Sequence, residues 1–339
     1  MNLKEYIIEK SKILNIDMIG FTDSAPLYNV KKHLNYRLEN NLQTEFEEKE
    51  VERRIDPKLT FPSCKSIIVI ALSYNVDFEI TNDNKLKGAL SKSSWGLDYH
   101  RVLKAKMKSL IEEIKDIEDF DYKMYVDTGP LVERELANKA GIGYYGKNCS
   151  IINDEYGSFI FIGYIMTDLD IEADTNRVYS KCGDCDLCIR ACPTNALEPY
   201  KLNPKKCISY LTQTKDIIPI EYRKKINSKI YGCDTCQLVC PKNKDVKPSV
   251  HLDFIPYNTG GYMDIIELLS MSNSQFKRKY GSMSGAWRGK NILKRNAIIA
   301  LGNMKAPEHS YLLENIDSNN SFYMEEYIKW AMKNIFLTK

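Results

Sequence analysis

No window of this chain joins the roughly 18 uninterrupted apolar residues of a membrane span. The segment from Met1 to Ile19 is broken by Lys4, Glu5, Glu9, Lys10, Lys12 and Asp17, so it reads as neither a span nor a secretion signal. Net charge is nearly absent too: 48 Lys and Arg against 45 Asp and Glu leave +3, and attraction to a polyanion must come from local patches. Low-complexity tracts are missing. Neither G-x-G-x-x-G behind a strand nor G-x-x-x-x-G-K-S/T occurs, which removes the common nucleotide and flavin fingerprints. With 339 residues, 43% hydrophobic and 27% charged, the composition is that of a globular chain of two or three domains. Disordered, collagen-like and small disulfide-stapled classes are excluded. We expect a cytoplasmic protein that does not engage a membrane.

Cysteine, by contrast, is concentrated. Of ten cysteines, eight fall between Cys182 and Cys240, and in a reducing cytosol clustered thiols are more often metal ligands than disulfides. The run CGDCDLCIRACP from Cys182 to Pro193 has the spacing C-x2-C-x2-C-x3-C-P. This is the ligand run of bacterial ferredoxins, in which three close thiolates wrap one cubane and the fourth reaches a second. Cys207 and the run CDTCQLVCP from Cys233 supply the remaining cysteines. The crossed pattern assigns Cys182, Cys185, Cys188 and Cys240 to one 4Fe-4S cluster, and Cys192, Cys207, Cys233 and Cys236 to the other. Structural zinc also takes four thiolates, but it pairs two C-x2-4-C hooks and has no need of the C-x3-C-P ending. Two adjacent clusters form a path for single electrons. Cys64 and Cys149 lie outside both sets and read as small buried residues.

Apolar periodicity organises the rest. Residues 3 to 15 have helical spacing, and Met18, Ile19 and Phe21 follow as a short strand. Residues 30 to 55 are charge-dense and read as helical. The β-branched run from Ser66 to Tyr74 predicts a buried central strand. Residues 98 to 116 return to a helix, 123 to 126 and 157 to 166 to strands, so the first half mixes helix and strand. From 260 onward the pattern is helical, with a break at Pro307 and an α-hairpin at the end.

A second dense stretch is YVDTGPLVER from Tyr125, continuing to AGIGYYGKN from Ala140. A carboxylate at a strand end, a Gly-Pro turn, a short helix and then Gly141, Gly143 and Gly146 suit a backbone that passes close to a large flat ligand. Asp127 as a helix N-cap fits the same residues, and the residues alone leave both readings open.

Together with INDEYGSFIFIG from Ile152, IDPKLTFPSCKSIIVIALSY from Ile55, WGLDYHRVLKAKM from Trp95, RNAIIALGN from Arg295 and the double cysteine run, these motifs resemble epoxyqueuosine reductase over most of the chain. The resemblance implies an α+β architecture in three parts. These are a mixed α/β, reductive-dehalogenase-like cobalamin-binding domain over 1–170, a bacterial-ferredoxin-like double-cluster domain over 171–255, and a helical HEAT-like tail over 256–339. It implies cobalamin and two 4Fe-4S clusters as cofactors. The implied reaction is reduction of epoxyqueuosine to queuosine at the tRNA wobble position by cobalamin brought to Co(I), with Asp127 as proton donor, its carboxyl kept protonated by an apolar site. Gly141, Gly143, Tyr144, Gly146, Lys147 and Asp127 become expected cofactor contacts. Tyr144 stands where the family often has tryptophan, and the tail is shorter than is usual there. Asp98-Tyr99-His100 through Leu103 approaches a D-x-H-x-x-G cobalt-ligand motif, with Leu103 in place of the glycine. His100 is therefore expected as polar lining of the cofactor or substrate pocket, against the plain alternative of a histidine at a helix start.

Residues 268 to 305 carry Lys277, Arg278, Lys279, Arg288, Lys290, Lys294 and Arg295 with no Asp or Glu, interleaved with Tyr280 and Trp287. Cations that neutralise phosphates and aromatics that stack on bases would suit an anticodon loop; a solvated basic face is the plain alternative. The expected partners are tRNA and an electron donor such as flavodoxin or ferredoxin, and the chain is expected to be a monomer. A small-molecule reductase of the same build and a corrinoid-free electron carrier are the competing readings.

Overall fold

The computed structural model describes residues 2–80, 86–174, 177–316 and 322–336. In the first half the elements are α1 (Leu3–Ile13), β1 (Met18–Asp23), α2 (Tyr28–Glu39), α3 (Val51–Ile55), β2 (Ser66–Ser73), β3 (Lys87–Leu90), α4 (Tyr99–Lys115), β4 (Tyr122–Tyr125), α5 (Glu133–Lys139), β5 (Tyr144–Tyr145), β6 (Ile151–Ile152) and β7 (Ile160–Thr167). The cysteine-rich part holds α6 (Leu187–Arg190), β8 (Leu197–Glu198), β9 (Lys201–Leu202), α7 (Ile208–Leu211), α8 (Ile220–Ile226), β10 (Lys229–Tyr231) and α9 (Thr235–Leu238). The chain closes with β11 (Tyr262–Asp264), α10 (Ile265–Ser270), α11 (Asn273–Tyr280), α12 (Lys290–Met304), α13 (Tyr311–Glu314) and α14 (Phe322–Phe336).

The central sheet has the order β1-β2-β7-β4, and every pairing in it is antiparallel. The β-branched run of β2 is buried at all its positions, as expected of an interior strand covered on both faces. Because side chains alternate along a strand, Ile67, Val69 and Ala71 enter one apolar layer with Leu34, Ile55 and Leu136 of α2, α3 and α5. Ile68, Ile70 and Leu72 enter the other, with Ile7 of α1 and Leu103, Met107 and Leu110 of α4. Helices on both faces of one sheet make a three-layer sandwich.

Residues 30 to 55 are not one helix. Helix α2 stops at Glu39, and the following loop is held by Glu47, which accepts a bidentate pair from Arg37 at 2.9 and 2.7 Å and also faces Arg54 at 2.5 Å. The charges that suggested a solvated helix instead tie a loop down.

A second sheet, β10-β3-β11, is parallel on one side of β3 and antiparallel on the other. It takes one strand from each of the three stretches 1–170, 171–255 and 256–339, so the cysteine-rich part and the tail are stitched to the first half by backbone hydrogen bonds. In the tail, α12 packs along α14, with Gly302 letting Ala331 approach to where a Cβ would sit 2.8 Å from its Cα. Among the described residues no helix is long and apolar enough to cross a membrane.

Candidate active site and cluster centre

The cysteines gather as two sets. Cys182, Cys185, Cys188 and Cys240 line one cavity. Cys188 lies on α6, while Cys240 follows α9, and these two short helices touch. Among the described residues no three His, Cys, Asp or Glu side chains converge as ligands of a single metal ion. Cys207 belongs to the other set: burial pushes its thiol up to about 11, and neighbouring Cys233 and Cys192 push in the same direction. Burial also raises the Cys236 thiol, aided by Cys207, Cys233, Cys188 and Cys192. Thiols that are buried and oppose one another's ionisation need cationic charge among them to become thiolates, which the iron of a cubane supplies. The residues present therefore fit two clusters, and the proximity of Cys188 to Cys236 sets them side by side. The backbone N–H of Ala196 donates to Cys192 Sγ at 3.3 Å, and Thr235 Oγ1 lies 3.3 Å from Cys233 Sγ. Cys64 and Cys149 are buried outside both sets.

The second centre forms where β4 meets α4. Beyond Val126 the chain turns left-handed at Asp127, φ +56°, a conformation that costs a non-glycine residue about 1 kcal/mol or more. Helix α5 begins only at Glu133, with Val132 at its N-cap, so Asp127 caps no helix. Its side chain is 65% exposed, and its Oδ2 stands 3.8 Å from Nε2 of His100. Asp98 is the N-cap of α4: its Oδ1 accepts from the backbone N–H of His100 at 3.0 Å and from the ring Nδ1 at 2.7 Å. The cap that starts the helix thereby also orients the imidazole. Tyr99 stacks on His100 with centroids 4.1 Å apart and on Phe161 at 4.2 Å.

These neighbours fix the charges. Burial would lower His100, but Asp127 and Asp98 outweigh it and raise its pKa from the ordinary 6.5 to about 9. For Asp127, desolvation works upward, and the facing His100 and Tyr99 more than cancel it, leaving the carboxyl below its usual range. Flanked by two carboxylates, the His100 imidazole is favoured as the proton carrier, and the Asp127 carboxyl is drawn towards its ionised form. A protonated carboxyl does exist nearby. Glu133 is pushed up to about 8 by burial and by the charge of Asp127, and its Oε1 finds no hydrogen-bond partner among the described residues. Glu133 lies six residues past Asp127 in the same motif, where only its spacing could have marked it.

The glycine stretch lets two short strands approach closely. Gly141 takes φ +74° just past the end of α5. A Cβ on Gly143 would meet the Ile152 carbonyl oxygen at 2.5 Å, and one on Gly146 would meet Ile152 Cδ1 at 2.6 Å. Gly143 and Gly146 thus serve the close approach of β5 to β6. Tyr144 is 1% exposed, with the charges of Cys182 and Cys240 among those acting on it. Lys147 lines the first cysteine cavity and donates from Nζ to the Gly183 carbonyl at 2.6 Å. Lys147 belongs to the wall of the first cysteine set.

The expected RNA patch is also divided by burial. Lys277, Arg278 and Lys279 are exposed on α11, with Lys279 paired to Glu267. Lys290 is half-buried and donates to the Met271 carbonyl at 2.9 Å, and Lys294 is half-buried. Arg295 is 0% exposed and bonded to backbone carbonyls, which removes it from any RNA-contacting surface. Arg288 lies 5.0 Å from the Phe46 ring centroid and 4.7 Å from that of Trp287. Phe46 is 5.5 Å from both Tyr210 and Trp287, and Trp287 is 56% exposed. The indole N–H of Trp287 donates to Tyr231 OH at 3.2 Å, and Tyr231 in turn feels the charges of Asp127 and Asp98. An open aromatic cluster therefore borders the Asp127 site, built from a loop at residue 46 that pattern reading did not connect to it.

Two family models match: epoxyqueuosine reductase QueG, DUF1730, over residues 54–128, and a 4Fe-4S double cluster binding domain over 181–243. The epoxyqueuosine reductase of Bacillus cereus is 44% identical over 311 residues, covering 89% of this chain and 81% of that protein. A crystal structure of epoxyqueuosine reductase with a tRNA-Tyr epoxyqueuosine-modified stem loop superimposes with TM-score 0.93 at 38% identity, over 98% of this chain and 90% of that one. A Bacillus subtilis epoxyqueuosine reductase, described with its catalytic aspartate loop swung out of the active site, gives 0.87 at 34% identity over 99% of both chains. This chain belongs to the epoxyqueuosine reductase family.

Proposed function

We propose that this protein reduces the epoxide of epoxyqueuosine in the anticodon loop of tRNA to the alkene of queuosine, taking up two electrons and two protons and releasing water. The observation that carries this reading is one assembly in a single chain: an imidazolium held between Asp98 and Asp127 at an exposed mouth, with two four-cysteine sets in the adjoining fold. The cysteines hold two 4Fe-4S clusters in the crossed pairing, passing electrons one at a time from an external carrier such as flavodoxin or ferredoxin. Cobalamin, implied by the family, would supply a strongly reducing centre when bound.

The chain's own residues handle the protons. His100 carries one at neutral pH, and Asp127 lies within reach to relay it to the departing oxygen; Glu133 holds a second beside Asp127. The aspartate loop that a relative's structure describes as catalytic supports this placement. The cluster of Phe46, Tyr210 and Trp287 offers a stacking surface to an unpaired base next to the reacting one, and Lys277 and Arg278 supply phosphate contacts. We read the protein as a cytoplasmic monomer with working boundaries near residues 170 and 255.

The test is direct. Protein purified without oxygen, with clusters reconstituted and cobalamin added, is incubated with tRNA carrying epoxyqueuosine, and the nucleosides are measured by mass spectrometry. Queuosine formation that requires reductant and cobalamin is the expected result. Corrinoid binding without conversion would point to a small-molecule substrate, and no corrinoid binding to an electron carrier.

A further inference from the structure

The motif RNAIIALGN opens with two polar residues that are fully buried inside α12, Arg295 and Asn296, each 0% exposed. A guanidinium and an amide so placed must bond to something, and their partners lie in the cysteine-rich part of the chain. Arg295 donates from Nη2 to the Leu211 carbonyl at 2.9 Å and from Nη1 to the Thr214 carbonyl at 2.7 Å, while its Nε holds Asn296 Oδ1 at 3.0 Å. The Asn296 amide donates to the Thr212 carbonyl and to the Ile230 carbonyl, both at 2.7 Å. Leu211 ends α7, the helical turn that starts directly after Cys207; Ile230 lies in β10, three residues before Cys233. The two segments are tied again where Gly232 N–H donates to Thr212 Oγ1 at 3.0 Å. One pair of adjacent side chains on the tail therefore grips both segments that present Cys207 and Cys233.

We propose that Arg295 and Asn296 are positioning residues for the second cluster, fixing Cys207 relative to Cys233. This gives the tail a role in building the second cluster's site. The inference rests on the reading that Cys192, Cys207, Cys233 and Cys236 hold a 4Fe-4S cluster. Cys207 is remote in sequence from the other three, so no tight C-x2-C loop sets its distance. A thiolate at the cap of a four-residue helix needs an outside brace. The carbonyls at the end of α7 are unsatisfied within so short a helix, and a cation bonded there also suits the negative end of the peptide dipoles.

The experiment compares wild type with Asn296→Leu, Arg295→Met and Arg295→Lys, each reconstituted without oxygen, by iron analysis, electron paramagnetic resonance and potentiometric titration. Wild type should hold about eight iron atoms per chain, as two cubanes require. Asn296→Leu and Arg295→Met should fall to about four, keeping the signal of the first cluster, and Arg295→Lys should recover part of the second. Retention of about eight iron atoms with unshifted potentials in both variants would overturn the proposal. So would joint loss of both clusters with a collapsed thermal transition, since that marks a general role in stability. A wild type that cannot be loaded beyond about four would instead defeat the two-cluster reading on which the proposal stands.

Discussion

Nδ1 of His100 lies 2.7 Å from the carboxylate of Asp98, and its Nε2 lies 3.8 Å from that of Asp127. One carboxylate is fixed as a helix cap, and the other sits on an exposed loop in a strained backbone conformation. The imidazole is thus anchored on one side and free to exchange a proton on the other, which is the division of labour that general acid catalysis needs.

The first prediction concerns His100 and pH. His100 is protonated below a pKa of about 9, so turnover should fall as pH rises through that value. His100→Gln should lower kcat by about 10²- to 10⁴-fold and abolish that alkaline limb, with iron content unchanged. The same shift has a sign for stability. A folded pKa raised above the ordinary 6.5 stabilises the protein fully below that pH and is lost as pH rises through about 9. The difference in melting temperature between wild type and His100→Gln should therefore shrink from pH 6 to pH 10.

Asp127→Asn tests the coupling from the other side. Asparagine tolerates the left-handed turn, so the loop should keep its course while one of the two anions beside His100 disappears. The His100 pKa, followed by NMR of ring-labelled protein, should then move down from about 9 towards 6.5. Queuosine formation should drop with clusters intact.

The crossed pairing of ligands makes its own prediction. Cys182→Ser and Cys240→Ser should abolish the same paramagnetic signal, despite their separation in sequence, because both line one cavity. Cys207→Ser should abolish the other. If Cys240→Ser and Cys207→Ser removed one and the same signal, the pairing would be wrong.

Removal of the exposed indole tests the stacking surface. Trp287→Ala should weaken binding of an epoxyqueuosine stem loop by about 1–3 kcal/mol, the usual worth of a base–aromatic stack, and leave iron content and corrinoid binding unaltered.

Charge reversal at Lys277 and Arg278 should weaken tRNA binding at low salt and flatten its salt dependence, as measured by filter binding across a salt series. Both side chains are exposed, so the double variant should fold.

Ligand spacing was legible in the sequence because it is a local property. Thiolates that wrap one cubane must lie a few residues apart, and the C-x2-C-x2-C-x3-C-P run states that directly. The buried strand β2 was legible for the same reason, since a run of β-branched residues carries its own conformational preference. Asp127 was marked by its motif. What it does was not, because protonation depends on groups that only folding brings near it. His100 comes from a helix start more than twenty residues earlier, and its charge draws the carboxyl towards ionisation.

The rest was decided by tertiary contact. The sequence did not show that Gly143 and Gly146 let Ile152 of a paired strand pack against them. Arg295 looked like one more cation in a basic patch, but helix packing turned it inward onto the carbonyls behind Cys207. Composition and spacing report which groups a chain owns and how near they lie along it. Which face each group takes, and therefore whether a cation meets phosphate or carbonyl and whether a carboxyl keeps its proton, is settled by burial and by neighbours distant in sequence.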